Sequence, residues 1–296
     1  KIYTTIDMDK QKKLQSTVDD TLAGFTEKND DGTYNMQGAA VTIDNNTGYV
    51  VAIVGGRDQD FNSYTLNRAF QSHRQPGSSI KPLIVYTPAF ERGYDPNTIV
   101  DDHKFEGGPS NATNTYAGKI PLRYAVAKSL NTVAWQVYEQ VTPKVGLQYL
   151  KNMNFSSIVK DDYTLATSLG GFTKGVSPLE MASAYAALEN DGMFRQPNCI
   201  KSIVDADENV VYSSQMAEVS IYEKDATRTM TDVLTTVMDS GTGAALKLSN
   251  MPCAGKTGTT NDHKDGWFVG YTRYYTTSVW VGCDYPKSIS NLSGST

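Results

Sequence analysis

The stretch Gly38-Ala39-Ala40-Val41-Thr42-Ile43-Asp44, the turn Asn45-Asn46-Thr47-Gly48 and the run Tyr49-Val50-Val51-Ala52-Ile53-Val54 read as a strand, a short turn and a second strand. β-Branched residues fill both apolar runs, and turn-forming residues fill the gap. The core sheet begins here. Strand patterning returns only after Gly241, over residues 254–260, 266–272 and 276–283, the last two joined by a short Arg-Tyr-Tyr link. Between these blocks the period changes. Residues 76–190 are patterned as helices, among them 122–138, 145–150 and 178–188, followed by a polar hairpin over 199–214 and a further helix over 225–239.

Strands, a helical insertion and strands again define an α+β fold. It consists of one antiparallel sheet of about five strands covered by helices, with an all-helical lobe over residues 76–190 inserted between the strands. A cleft between sheet and lobe is the expected place for a site. Upstream, residues 7–22 carry a polar helical pattern with Leu14, Val18 and Leu22 on one stripe, and residues 29–35 are rich in turn formers. Residues 1–36 are accordingly read as an interdomain linker and 37–296 as the main domain. No internal repeat is visible.

Composition narrows the function. With 296 residues, 39% hydrophobic and 20% charged, the chain can bury a sizeable core. A net charge of −5 without any dense Lys/Arg run gives no footprint for nucleic acid or for an anionic membrane surface. Cys199, Cys253 and Cys283 are odd in number and lack C-x-x-C spacing, which suggests neither a disulfide framework nor a zinc site. His73, His103 and His263 have no ligand-like spacing, so no metal or other cofactor is implied. No apolar stretch approaches the ~18 to 20 residues of a membrane span.

Three short motifs carry the chemistry. Pro76-Gly77 breaks the chain before Ser78-Ser79-Ile80-Lys81-Pro82, and an apolar helix is expected to follow, with Pro82 tolerated in its first turn. Ser78 then sits at a helix start, where free N–H groups stabilise a developing oxyanion, and Lys81 lies within reach of its hydroxyl. A lysine near its ordinary pKa is protonated and useless as a base, so the reading requires a cleft that lowers it, with Lys256 a candidate neighbouring charge. Serine-to-lysine spacing alone is common: Ser157-Ile158-Val159-Lys160 shows it too.

Ser129-Leu130-Asn131 interrupts the helical stretch and could present Ser129 as a proton shuttle and Asn131 as an amide partner for a peptide, although a polar turn is the commoner fate of such a tripeptide. Lys256-Thr257-Gly258-Thr259 lies in a strand yet contains glycine, which weakens strands unless something approaches the backbone closely. Alternation puts Thr257 and Thr259 on one face, where two hydroxyls could hold a carboxylate, and Lys256 on the other, toward Ser129.

The longer strings Arg74-Gln75-Pro76-Gly77-Ser78-Ser79-Ile80-Lys81-Pro82, Ala127-Lys128-Ser129-Leu130-Asn131-Thr132 and Gly255-Lys256-Thr257-Gly258-Thr259-Thr260, followed by Asp265-Gly266-Trp267-Phe268-Val269-Gly270-Tyr271-Thr272, resemble the transpeptidase domain of class A, bifunctional penicillin-binding proteins, of the serine β-lactamase/transpeptidase superfamily. The opening Tyr3-Thr4-Thr5-Ile6-Asp7 resembles the segment that joins the glycosyltransferase domain to the transpeptidase in that family.

The resemblance implies an enzyme that cross-links peptidoglycan stem peptides through an acyl-serine at D-Ala-D-Ala and is acylated by β-lactams. It would act on the extracytoplasmic face of the bacterial membrane, downstream of a glycosyltransferase domain in the full-length protein. Ser78 is then the nucleophile, Lys81 the base, and Ser129 with Lys256 the relay to the leaving D-alanine. Asn131, Thr257, Gly258 and Thr259 bind substrate, and the N–H groups of Ser78 and Thr259 form the oxyanion hole.

Neighbouring readings are separable. A β-lactamase or carboxypeptidase of the same fold must deliver water to the ester, yet no Glu-x-x-Leu-Asn string lies between the second and third motifs, and Glu180 belongs to a packed helix. A β-lactam sensor would acylate without turnover. A Ser-His-Asp hydrolase using His73 or His263 lacks the Gly-x-Ser-x-Gly elbow.

Overall fold

The computed structural model describes residues 1–59 and 64–295. Along the chain, β1 (Ile2–Thr4) leads into α1 (Met8–Leu22), then β2 (Met36–Asp44) and β3 (Val50–Val54). α2 (Arg68–Gln71) precedes the lobe, which contains α3 (Thr87–Phe90), β4 (Ile99–Asp102), β5 (Gly118–Pro121), α4 (Leu122–Ala127), α5 (Asn131–Val141), α6 (Pro143–Asn152) and α7 (Pro178–Glu189). Next come β6 (Met193–Arg195), β7 (Ile200–Val204), β8 (Val210–Ser213), β9 (Glu218–Ser220) and α8 (Lys224–Ser240), and finally β10 (Ala254–Thr259), β11 (Asp265–Tyr271) and β12 (Tyr275–Cys283).

The main sheet has five strands in the order β10-β11-β12-β2-β3, every pair antiparallel. The chain returns from the lobe to lay β12 beside β2, with Trp280 opposite Ala39 and Thr276 opposite Ile43. Side chains alternate across the pleat, so the two faces build two cores. Ala39, Val41, Ile43, Trp267, Val269 and Trp280 face the large core under α7 and α8. Met36, Ala40, Val54 and Cys283 face a smaller one completed by Val18 and Leu22 of α1. Residues 1–36, expected as a linker, thus contribute a helix packed on the sheet. A side chain on Gly38 would reach within 3.0 Å of Val18, so the small residue sets how closely α1 lies.

Two expectations about the lobe need correcting. It is not all-helical: β4 and β5 form a two-stranded ribbon within it. Nor is the segment after Ser78 a plain α-helix. It runs as a 3-10 turn over Gly77–Ile80, a π segment over Pro82–Tyr86, and only then the short α3. The cause is Pro82, which stands four residues after Ser78 and has no N–H to give its carbonyl. The Lys81 N–H serves the Ser78 carbonyl instead, in 3-10 geometry, while Thr87 gives both its N–H and its hydroxyl to the carbonyl of Pro82. The helical stretch over 122–138 divides into α4 and α5 at Ser129, where the sequence indicated an interruption, and the φ of +58° at Ser129 places it in the left-handed region.

Candidate active site

The three motifs meet where the edge strand β10 faces the lobe, at a cleft of about 960 Å³ lined by both. Backbone approaches too close for side chains fix the meeting. A Cβ on Gly258 would stand 2.3 Å from the Pro76 carbonyl, and one on Gly170 (φ +88°) would stand 2.3 Å from the amide nitrogen of Gly77. Gly258 was expected to make room for substrate. It admits the protein's own Pro76–Ser79 turn, and it does not line the cleft.

That turn is pinned on every side. Ser79 Oγ donates to the Pro76 carbonyl at 2.7 Å, Tyr185 Oη to the Ser79 carbonyl at 2.5 Å, and Trp267 Nε1 to the Gln75 carbonyl at 2.9 Å. Ser78 alone turns its side chain to the cleft, half-exposed and without a hydrogen bond among the described residues.

Two buried amines meet at Ser129. Lys81 Nζ donates to the Ser129 carbonyl at 2.9 Å and to Asn131 Oδ1 at 2.8 Å, with Ser129 Oγ at 3.5 Å. Lys256 Nζ donates to Ser129 Oγ at 2.9 Å and to the Thr257 carbonyl at 3.1 Å. Among the described residues neither forms an ion pair. Burial drives Lys256 from an ordinary 10.5 to about 7. Burial, and then repulsion from Lys256, hold Lys81 well below its ordinary value.

The arrangement has a chemical consequence. A neutral lysine has two N–H groups and one lone pair, and the two short bonds to Ser129 and Asn131 use both hydrogens. The lone pair is left to accept a proton.

Thr257 and Thr259 line the cleft on alternate positions of β10. Thr257 Oγ1 lies 2.7 Å from Thr242 Oγ1, and Thr259 Oγ1 accepts from the Gly294 N–H at 3.1 Å. The Thr260 N–H donates to Asp265 on β11. Alternation along the ladder therefore turns the Thr259 N–H to the open edge, where Gly77 lies against it. Asn131 opens α5, donates Nδ2 to the Ser110 carbonyl at 2.9 Å, and keeps one amide hydrogen.

Other residues weighed from sequence fall outside this cluster. Neither Ser157 nor the exposed Lys160 lines the cleft. His73 pairs with Ser156 at 3.1 Å, and His263, though in the cleft wall, bonds the Leu292 carbonyl at 2.8 Å. Glu180 is occupied: one oxygen accepts from the N–H and hydroxyl of Ser156, the other from those of Ser177. Sequence reasoning missed Tyr185 and Gly170. The Gly170-Gly171 pair was the one available sign of a close approach.

A serine at a backbone-pinned turn, two buried amines around a second serine and a threonine-bearing edge strand define a serine acyltransferase site. The family model described as the penicillin binding protein transpeptidase domain matches residues 38–286, and the chain belongs to that family. It is 34% identical to penicillin-binding protein 4 of Bacillus subtilis over 99% of this chain and 46% of that protein. It is 35% identical to penicillin-binding protein 1A/1B of the same organism over 95% of this chain and 32% of that protein. The chain thus spans less than half the length of these relatives. Among solved structures, the penicillin-binding protein PonA1 from Mycobacterium tuberculosis superposes with a TM-score of 0.83 at 24% identity, covering 99% of this chain and 80% of that one. A second PonA1 structure, in complex with penicillin V, superposes with a TM-score of 0.80 at the same identity.

Proposed function

We propose that this domain is a peptidoglycan D,D-transpeptidase, acylated at Ser78 by the terminal D-Ala-D-Ala of a stem peptide or by a β-lactam. The observation that carries the reading is the Ser129 hydroxyl held between Lys81 and Lys256 in the cleft that Ser78 also lines. Ser78 Oγ attacks the penultimate D-Ala carbonyl as Lys81 Nζ takes its proton. The N–H groups of Ser78 and Thr259 receive the oxyanion. The amide nitrogen takes a proton from Ser129 Oγ, which Lys256 replenishes, and D-alanine leaves. The Thr257 and Thr259 hydroxyls hold the terminal carboxylate, and Asn131 gives its remaining amide hydrogen to the peptide. An acceptor amine then attacks the ester, its proton passing through Ser129 Oγ back to Lys256 while Lys81 Nζ returns its proton to Ser78 Oγ, and the amide product leaves.

Within a longer protein the domain would follow a glycosyltransferase domain and work on the extracytoplasmic side of the membrane; no described helix is long and apolar enough to cross a membrane. The test supplies a D-Ala-D-Ala donor peptide with a D-amino acid acceptor and follows both products by mass spectrometry. Exchange product in excess of hydrolysis product is expected. D-alanine release with no acceptor incorporated would mean a carboxypeptidase, and penicillin labelling with no D-alanine release would mean a sensor.

A further inference from the structure

The catalytic turn Ser129–Asn131 is held from a second side, by a loop the three motifs do not include. α5 begins at Asn131, and its N-cap residue Leu130 has no side-chain oxygen to satisfy the first free N–H groups. The cap comes instead from Asn111, in the loop that joins β4 to β5. Asn111 Oδ1 accepts from the N–H of Asn131 at 2.8 Å and of Thr132 at 3.4 Å. Both hydrogens of its Nδ2 are used as well, one on Asp102 Oδ1 at 2.7 Å and one on the Thr115 carbonyl at 2.9 Å.

Asp102, at the end of β4, is 1% exposed and holds this amide in place. Its carboxylate also accepts from the Ala117 N–H at 2.7 Å and from the Thr132 hydroxyl. Every lone pair and hydrogen of Asn111 is therefore committed in one orientation, because the opposite flip would set its oxygen against a carboxylate. A negative charge at the start of α5 also suits the positive end of the helix.

We propose that Asp102 and Asn111 are positioning residues of the acylation chemistry. Asp102 orients Asn111, Asn111 caps α5, and the cap fixes Asn131, whose Oδ1 holds Lys81 Nζ, and with it the Ser129 turn bonded to both lysines. Both residues line the cleft, but their side-chain polar atoms are engaged by neighbouring protein groups. Their effect passes through Asn131 and Lys81, and it ties the cleft-lining loop over residues 103–117 to the buried amines of Lys81 and Lys256. The proposal rests on the acyl-serine reading above.

The test uses stopped-flow acylation by a fluorescent penicillin, in which amplitude reports the folded fraction and the rate constant reports the alignment of the folded molecules. Asn111→Asp sets a carboxylate against Asp102. Asp102→Asn removes one of the acceptors that Asn111, Ala117 and Thr132 share. Each is expected to slow acylation by about 10- to 100-fold. Glu106→Gln, exposed in the same loop, should leave the rate constant unchanged. Thr132→Val deletes one donor to Asp102 with little change of shape and should give a smaller fall; it decides the matter if the first two variants yield no amplitude. Reduced amplitude with wild-type rate constants means a purely structural clasp and overturns the proposal. A wild-type protein not labelled on Ser78 would condemn the acyl-serine reading itself, whereas a labelled wild type with full-rate variants condemns only the clasp.

Discussion

Lys256 Nζ donates to Ser129 Oγ at 2.9 Å from beneath the edge strand, and the same hydroxyl lies 3.5 Å from Lys81 Nζ. One oxygen thus stands between two buried amines that form no ion pair with a carboxylate among the described residues, and a shared charge there is costly. The protons of such a pair leave in macroscopic steps belonging to both groups.

Removing the charge of Lys256 should change when Lys81 gains its proton. With Lys256→Met the repulsion is gone and only burial depresses Lys81, so its pKa rises and the acid limb of penicillin acylation moves to higher pH. Acylation rate constants across pH, for wild type and variant, check the direction. A limb that stays in place or moves to lower pH contradicts the coupling.

The buried amines also tie stability to pH. Unfolded lysines bind protons below their ordinary 10.5, whereas Lys256 in the fold does so only below about 7. Its contribution is therefore fully present above the unfolded pKa and is lost as pH falls through that interval. Melting temperature should climb from neutral toward alkaline pH, until unfolded tyrosines begin to ionise near pH ~10 and oppose it. Lys256→Met should flatten the climb, and an equal slope in both proteins would count against a neutral buried Lys256.

Gly258→Ala sets two local rules against each other. Alanine suits a strand better than glycine does. The added Cβ, however, meets the Pro76 carbonyl at 2.3 Å and must push away the turn that carries Ser78. A loss of about 1 to 3 kcal/mol from overpacking is expected, with a fall in acylation out of proportion to it. Chemical denaturation alongside labelling kinetics reads both, and a stabilised, fully active variant would refute the close approach.

Tyr185→Phe removes only the hydroxyl that α7 sends to the Ser79 carbonyl. With that donor to the buried carbonyl gone, a cost of about 1 to 3 kcal/mol is expected, and the nucleophile's turn loosens. Unchanged stability would show that water takes over the bond.

The sheet could be read from sequence because period-two apolar runs flank the lobe on both sides, and Trp267, Trp280, Val41 and Ile43 obey it. The place of Lys256 behind Thr257 followed from the same alternation. What could not be read is non-local. The break from α-helix after Ser78 depends on which carbonyl Pro82 fails to serve, and Asn111 sits in a polar run that looks like any loop until Asp102 and the bare start of α5 surround it. Val18 and Leu22 showed their stripe, but nothing nearby in sequence named Met36 and Cys283 as its partners.

Glu180 has both carboxylate oxygens engaged at the start of α7, so it has no water to deliver to an ester. The penicilloyl adduct should persist for many times its formation time, and Glu180→Gln should leave its decay unchanged while lowering stability. Decay of the adduct mass with time checks this, and rapid turnover would point to a β-lactamase.

The most direct test is to label the domain with penicillin, digest it and sequence the adduct by tandem mass spectrometry. The account predicts one stoichiometric adduct on Ser78, abolished in Ser78→Ala; an adduct on Ser129, Ser157 or any other residue, or none in a folded protein, contradicts it.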